Sequence, residues 1–167
     1  FSDTSDPVDA STDIQWETDQ DDYLYCKVPV EVDRWHPEVS LTMNHALAKV
    51  SFRVLEVNAG SSFAGCRLAK IVLKSNGGFK KSVAAQLNLA TGETTGAITP
   101  VDQLQFTAGG DKRVVGTGTE ETSEVPVQAF GLVIPVSDVG ISLELTLDDG
   151  RTFYMVPGAD SDVPGTF

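Results

Sequence analysis

The stretch VSLTMNHALAKVSFRV, residues 39–54, alternates between apolar and polar positions, but the alternation changes phase halfway. Before His45 the apolar side chains fall on odd positions, and from Ala48 onward they fall on even ones. Successive side chains of a strand point to opposite faces, so a shift of one residue moves the buried set to the other face. The pattern therefore predicts a β-bulge, or a kink between two sheets, at residues 44–46. A short helix over HALAK is the alternative.

Further alternating segments fill most of the chain after residue 22. GISLELTLDDGRTFYMVP is the clearest, because Asp149 and Gly150 are a hairpin signal between two alternating runs. Glycine-containing turn signals separate the other segments, at residues 58–60, 76–78, 91–92, 109–110 and 116–118. The other predicted strands read DYLYCKVPVEV, CRLAKIVLKS, SVAAQLNLATG and VPVQAFGLVIPV. This succession predicts an all-β fold, an antiparallel β-sandwich or barrel, of which we favour the sandwich.

The alternation also predicts which side chains fill the core of the sandwich. Apolar positions on both sides of the phase shift are expected to be buried, and the hairpin should contribute its odd-numbered leucines. The expected core residues are Leu41, Leu47 or Ala48, Val50, Phe52, Leu143 and Leu145.

The first 22 residues differ from the rest of the chain. They are rich in Ser, Thr and Asp, and eight of the 24 acidic residues come before the first base, Lys27. Such a composition buries little apolar surface. We therefore expect residues 1–22 to form an acidic extended arm and residues 23–167 to form the sandwich domain. Trp16 is the exception within the arm and is expected to pin it to the domain.

The excess of acidic over basic residues argues against nucleic acids and anionic membranes as partners. With 24 acidic and 12 basic residues, the chain has a formal net charge of -12. Such a surface repels the phosphates of nucleic acid and anionic lipid headgroups, and it favours solubility. No apolar run approaches the roughly 18 residues of a membrane helix, so no transmembrane segment is predicted in this chain.

Few residues could support catalysis or metal binding. His36 and His45 lie on different segments, and Cys26 and Cys66 lack the spacing of a metal or redox motif. The two cysteines are expected to be buried thiols or, if the protein is exported, a disulfide. We therefore predict that the protein is not an enzyme and that it has no catalytic residues, no metal site and no cofactor.

Two weaker signals concern calcium and sugars. The acidic cluster at residues 19–22 offers oxygen ligands, but the order of an EF-hand loop is missing, so calcium binding is not predicted. Tyr23, Tyr25, Trp35 and Trp16 could form a platform on which sugars stack. Aromatic residues of a sandwich more often fill its core, and that is the interpretation we favour.

The phase-shifted stretch also carries a resemblance to a known family. VSLTMNHALAKVSFRV is similar to the recurrent His-Ala-Leu-Ala-Lys strand of the fimbrillin (type V pilin) superfamily of Bacteroidales. In that family an Asp-Leu-Leu-Tyr-Ala phrase precedes the strand; here DDYLYC takes its place, with Cys26 at the small residue, and Met43 stands where Phe is usual. KIVLKSNGGFKKSVAAQLNLATGE and VPVQAFGLVIPVSDVGISLELTLDDGRTF resemble later strands. The resemblance covers residues 21–157.

The resemblance implies structural work outside the cell. Family members usually have two transthyretin-like (Greek-key type) sandwich domains in about twice this length, and they are exported as lipoproteins. This chain is therefore expected to be one domain of a longer subunit or a shortened relative, with signal and anchor outside it. Family subunits build fimbriae on the outer membrane surface, where a partner's strand completes the sandwich by β-strand addition.

The combined prediction is a non-catalytic structural subunit or adhesin of fimbriae at the cell surface. Its partners would be other fimbrial subunits or host or bacterial surface ligands, and it would assemble by β-strand addition. The alternative is a carbohydrate- or protein-binding β-sandwich module of an outer-membrane surface complex. A module needs an exposed aromatic platform, whereas a subunit needs an open sheet edge. We expect that edge on the C-terminal side, which includes Phe153 and Met155.

Overall fold

A computed structural model of the chain describes residues 7–10, 13–14, 20–27, 32–56, 65–109, 116–117, 126–137 and 139–155. All regular structure in these residues is β-structure, which confirms the predicted all-β class. No helix within them is long and apolar enough to cross a membrane. The strands are β1 Pro7–Ala10, β2 Asp13–Ile14, β3 Leu24–Tyr25, β4 Asn44–His45, β5 Ala48–Phe52, β6 Leu55–Glu56, β7 Leu68–Leu87, β8 Thr94–Thr107, β9 Gly116–Thr117, β10 Ala129–Val133, β11 Ser142–Leu147 and β12 Thr152–Met155.

Six strands form the main sheet. Five of them are arranged in the order β12-β11-β7-β8-β2, and β1 pairs with the second half of β7. The pairings in this sheet are antiparallel except that of β2 with β8. In the described part of the chain, the smaller sheets are the antiparallel pairs β5–β10 and β3–β4 and the parallel pair β6–β9.

The β5–β10 pair packs against the main sheet and forms the second layer of a sandwich. Its inner face contributes Val50 and Ala129 to a core cluster that also contains Ile71 of β7 and Phe106 of β8. The rings of Phe52 and Phe106 join the two layers edge to face, with their centroids 5.0 Å apart. The predicted β-sandwich is therefore confirmed, and its transthyretin-like subtype stays a prediction.

A second, smaller core cluster lies beside the first. Its partly buried members include Tyr23 and Tyr25, which pack against fully buried side chains from several strands and loops. Because β7 and β8 contribute apolar side chains to both clusters, these two long strands connect them. The buried members of the smaller cluster are Ala46, Leu47, Ala85, Leu87 and Ile134.

The phase-shifted stretch passes from one sheet to another, as its alternation predicted. Asn44 and His45 pair with β3, whereas residues 48–52 pair with β10. Between them Ala46 and Leu47 form a buried bend. No residue from 39 to 54 is helical, so the alternative of a short helix is wrong. The kink is real and lies at residues 46–47, at the C-terminal end of the predicted range.

The predicted burial of Leu41 is wrong. Leu41 is 56% exposed because residues 37–43 belong to no strand of the described structure and lie outside both core clusters. The alternation before the kink therefore does not mark a core strand. The other expected core residues are buried or pack against the larger cluster, namely Leu47, Ala48, Val50, Phe52, Leu143 and Leu145.

The turn predicted at residues 76–78 is instead a bulge inside β7. Four residues of β7, 75–78, lie opposite the single residue Asp102 of β8, between two regular pairs. Gly77 has a positive φ of 67°, and its N–H donates to the Asp102 carboxylate at 2.8 Å. The glycines thus mark a break in regular pairing, and β7 continues because β8 pairs with it on both sides of the break.

The hairpin of β11 and β12 confirms the clearest prediction. The N–H of Gly150 donates to the carbonyl of Leu147 at 3.1 Å, and the N–H of Leu147 donates to the carbonyl of Arg151 at 2.9 Å. Gly150 has a φ of 88°, the left-handed conformation that closes a three-residue hairpin loop. Asp149 and Gly150 lie in the turn, as predicted.

Other local predictions met different outcomes. DYLYCKVPVEV forms a strand only at Leu24–Tyr25; Val32 is exposed and residues 28–31 lie outside the described residues. The turn at residues 91–92 is confirmed, since the N–H of Gly92 donates to the carbonyl of Asn88 at 2.7 Å. Gly116 belongs to β9 instead of a turn. The signals at 58–60, at 110 and at 118 lie outside the described residues.

The N-terminal residues contribute backbone pairing to the main sheet. β1 pairs with β7 and β2 pairs with β8, so the backbone at 7–10 and 13–14 follows the sheet. Trp16 lies outside the described residues. The boundary between arm and domain at residue 22 stays a prediction.

Candidate functional site

The two histidine rings lie at the surface, each in contact with a different carboxylate. Nδ1 of His36 is 3.0 Å from Asp33, and Nδ1 of His45 is 2.8 Å from Asp22. Within the described residues, no group of three or more His, Cys, Asp or Glu side chains could hold a metal ion. The absence of catalytic, metal and cofactor sites stays a prediction for the whole chain.

The two cysteines are half-buried thiols that do not form a disulfide. The guanidinium of Arg151 donates to Cys66 Sγ at 3.0 Å and to the Asp149 carboxylate at 2.6 Å. The hydrogen bond from Arg151 holds the pKa of Asp149 below its usual value. These contacts connect the residues just before β7 to the β11–β12 turn. The role of Cys66 in the described structure is therefore to help hold that turn in place.

The structure separates Trp35 from the two tyrosines that were considered with it for a sugar-stacking platform. Tyr23 and Tyr25 pack against the smaller core cluster, whereas Trp35 lies on an exposed turn. Trp16 lies outside the described residues. Tyr23 and Tyr25 therefore contribute to the core, the interpretation favoured from the sequence, whereas the Trp35 side chain is exposed to solvent.

Trp35 is held at the tip of a tight turn. One oxygen of the Asp33 carboxylate accepts the backbone N–H groups of Trp35 and His36, both at 2.7 Å. These hydrogen bonds hold the pKa of Asp33 below its usual value, and the bond from the Trp35 N–H has the largest effect. The guanidinium of Arg34 lies over the indole, 4.3 Å from the ring centroid. Trp35 nevertheless stays 71% exposed. We call residues 32–43 the Trp35 loop; all of its residues are exposed.

A groove of about 460 Å³ opens beside the outer side of the β5–β10 pair. Its polar side contains the Asp22–His45 pair, and Lys49 lies over the Phe130 ring, 5.2 Å from its centroid. We call it the Gln20 groove. It is lined by Gln20, Asp22, His45, Leu47, Lys49, Phe130 and Leu132.

Two glutamine side chains bond to the backbone as a neighbouring strand would. The amide of Gln20 donates to the carbonyl of Leu132 at 3.1 Å and accepts its N–H at 2.8 Å. The amide of Gln128, which has 0% exposure, bonds both backbone groups of Val54 in the same way, at 3.2 and 2.5 Å. Each amide satisfies a donor and an acceptor that would otherwise need a strand or water.

Neither glutamine could be identified from the sequence. Gln20 belongs to a segment whose composition predicts little burial, and Gln128 is a polar position inside the predicted strand VPVQAFGLVIPV. Each glutamine bonds to backbone groups that are far away in the sequence. Its role therefore depends on the tertiary structure and cannot be read from neighbouring residues.

The second candidate site is the outer edge of strand β12, in the main sheet. Among the described strands, β12 is the last in the order of this sheet. All four of its residues, Thr-Phe-Tyr-Met, are exposed and none is charged. Tyr154 is 71% exposed. Natural edge strands are usually protected by charges, Pro or bulges, and β12 has none of these.

The chain is similar to known proteins in sequence and in structure. A crystal structure of a protein assigned to cell adhesion, from Bacteroides uniformis ATCC 8492, is similar with a TM-score of 0.47 and 18% identity. The match covers 90% of this chain but 60% of that one, so this chain spans less than two thirds of its length. No curated protein matches the chain. The family described as fimbrillin-like matches residues 1–164. The chain therefore belongs to the fimbrillin-like family.

Proposed function

We propose that the protein is a non-catalytic structural subunit or adhesin of fimbriae at the cell surface, and that it assembles by β-strand addition along β12. Membership of the fimbrillin-like family supports the surface role. The single observation that carries the mode of assembly is the edge strand β12, whose four residues are all exposed and uncharged. Attachment to the outer membrane as a lipoprotein belongs to the same proposal.

The hydrogen-bond register of the hairpin determines which groups of β12 face outward. Leu147 bonds to Arg151, so the hydrogen-bonded pairs that alternate along the ladder are Leu145 with Phe153 and Leu143 with Met155. The N–H and C=O groups of Tyr154 therefore point away from β11. They are available to an added strand without any change in the hairpin.

The side chains of β12 define what an added strand would cover. Phe153 and Met155 stand opposite Leu145 and Leu143, whose side chains pack against the larger core cluster. They therefore extend the apolar inner face of the sheet onto β12, its last described strand. A partner strand paired with β12 would place alternate side chains next to them, which is the way strand addition obtains specificity.

The test replaces Tyr154 by Pro in the full chain. Proline lacks the N–H that an added strand would need, but at this outward-facing position it leaves the β11–β12 hydrogen bonds intact. Tyr154→Thr is the matched control, because it removes the ring and keeps the N–H. Sedimentation velocity over increasing protein concentration measures association, and hydrogen exchange measures protection of the amide at position 154.

We expect the natural chain and Tyr154→Thr to associate with slowed exchange at position 154, and Tyr154→Pro to associate much less. Association by Tyr154→Pro equal to that of the control would show that β12 is not the pairing edge. A natural chain that stays monomeric and binds no fimbrial subunit would favour the alternative, a carbohydrate- or protein-binding module of an outer-membrane surface complex.

A further inference from the structure

The Trp35 loop exposes more apolar surface than a solvated loop requires. Its residues alternate in the manner of a strand from residue 39 to 43, yet none of these residues pairs with another described strand. A sequence preference that the chain's own fold does not satisfy points to a partner. Exposed apolar clusters of this kind mark interaction surfaces. The large apolar side chains of the loop are Val32, Trp35, Val39, Leu41 and Met43.

The tip of the loop is organised before any partner arrives. Three hydrogen bonds to one Asp33 oxygen fix the turn, at 2.7 Å from the N–H of Trp35, 2.7 Å from that of His36 and 3.0 Å from the His36 ring. Arg34 holds the indole from one side. A side chain that is already fixed loses little conformational entropy on binding. Trp and Arg are also the residue types that most often dominate protein interfaces.

The Gln20 groove has the complementary shape and chemistry. Its volume of about 460 Å³ is within the range of sites that enclose a small ligand or a large side chain. Phe130 and Leu132 provide an apolar wall, and Lys49 provides a cation next to an aromatic ring. An indole inserted there would contact apolar groups on one side and a cation on the other.

The charges of loop and groove are also complementary. In the described residues Lys49 forms no ion pair, and the Asp22 carboxylate contacts the His45 ring, so the groove presents both a cation and an anion. The Trp35 loop has Glu38, which forms no ion pair within the same residues, and Arg34, whose described contact is with the indole. A loop seated in the groove would bring Glu38 towards Lys49 and Arg34 towards Asp22.

We propose that the Trp35 loop of one copy of the chain docks in the Gln20 groove of a second copy, with Trp35 as the buried anchor. The loop leads directly into His45, which lines the groove of its own chain. One contact therefore brings the second loop close to the first groove, which favours a reciprocal two-fold dimer. This interface uses neither β12 nor a catalytic group, so it is independent of the proposed strand addition.

The experiment uses the full chain with Trp16→Phe. The chain has two tryptophans, so this substitution leaves Trp35 as the sole source of indole fluorescence. Sedimentation equilibrium measures the dimer dissociation constant, and fluorescence measures the environment of the indole. We expect a concentration-dependent dimer in which the emission of Trp35 moves to shorter wavelength. Trp35→Ser should weaken dimerisation by about 30-fold or more, the effect of truncating an interface anchor.

A charge exchange tests the orientation. Glu38→Lys and Lys49→Glu should each weaken the dimer by about fivefold, and the double variant should restore most of the loss. Melting temperatures, measured at concentrations at which every variant is monomeric, should stay equal because the substituted side chains are exposed. The shift of Trp35 emission with concentration should persist in Tyr154→Pro, and the slowed exchange at position 154 should persist in Trp35→Ser, so the two interfaces fail separately. A chain that remains monomeric, a Trp35→Ser dimer as tight as that of the natural chain, or a double variant without restoration would overturn the proposal.

Discussion

Replacing Phe106 by Ala should remove the central contact between the two layers of the sandwich. Phe106 lies on β8 with 0% exposure, and its ring meets that of Phe52 on β5 at a centroid distance of 5.0 Å and an interplanar angle of 63°. β8 pairs regularly with β7 on both sides of Phe106, from Gln103 to Thr107, so the backbone around position 106 has little freedom to collapse into the space left by the ring.

The size of the effect follows from the burial. An aromatic side chain removes roughly 150–250 Å² from water, which at about 25 cal/mol per Å² corresponds to roughly 4–6 kcal/mol as an upper bound. Ala retains one methyl group and leaves a cavity, so we expect the free energy of unfolding to fall by about 3–5 kcal/mol. Phe52→Ala should cost about 2–3 kcal/mol, because Phe52 is only partly buried.

Urea unfolding followed by circular dichroism measures these losses, with unchanged denaturant slopes as the condition for comparing them. The double variant should reveal a coupling of about 0.5–1.5 kcal/mol between the two rings. Phe153→Ala, on the exposed edge, is the control and should cost less than about 1 kcal/mol. If the Phe106→Ala variant is too unstable to fold, Phe106→Leu replaces it in the comparison of unfolding free energies with Phe153→Ala. Equal losses at positions 106 and 153 would refute this account of the core.

Three further predictions test local features. Gln128→Ala should lower the free energy of unfolding by about 1–3 kcal/mol in urea, because two backbone groups lose their partner; an unchanged midpoint would contradict the role of the amide. Gly78→Ala should lower the melting temperature, because a Cβ there would overlap a neighbouring valine side chain, whereas Gly140→Ala, with open space around it, should not. The hydrogen bond from Arg151 lowers the pKa of Asp149, so its stabilisation is present above the unfolded value of 3.8 and is lost as the pH falls through the folded value. Thermal melts should therefore show that Asp149→Asn is less stable than the natural chain at neutral pH and that the difference shrinks below pH 3.8.

The kink at residues 46–47 could be predicted because the alternation of apolar residues changes from odd to even positions there. The exposure of Leu41 could not, because alternation says which side chains share a face and not whether a second strand covers that face. The glycines at residues 76–78 are equally ambiguous. They fit a turn or a bulge, and the pairing of β8 on both sides of them decides for the bulge.

The candidate sites depend still more on distant residues. The sequence predicted a C-terminal pairing strand, and β12 has the exposed apolar residues on which that expectation rested. It did not predict the Gln20 groove, because Gln20 and Leu132 meet across 112 residues of sequence. Nor did it predict that Trp35 would be separated from the tyrosines, since their separation follows from the unpaired Trp35 loop.

The length of β7 and β8 has a consequence for how the protein opens. Both strands supply side chains to the larger and to the smaller core cluster. A fluctuation that separates them at one end removes support from the other, so the two clusters should not behave as independent foldons. Backbone amides at both ends of the β7–β8 ribbon should then share one opening free energy, and a domain under tension would yield in a single cooperative step.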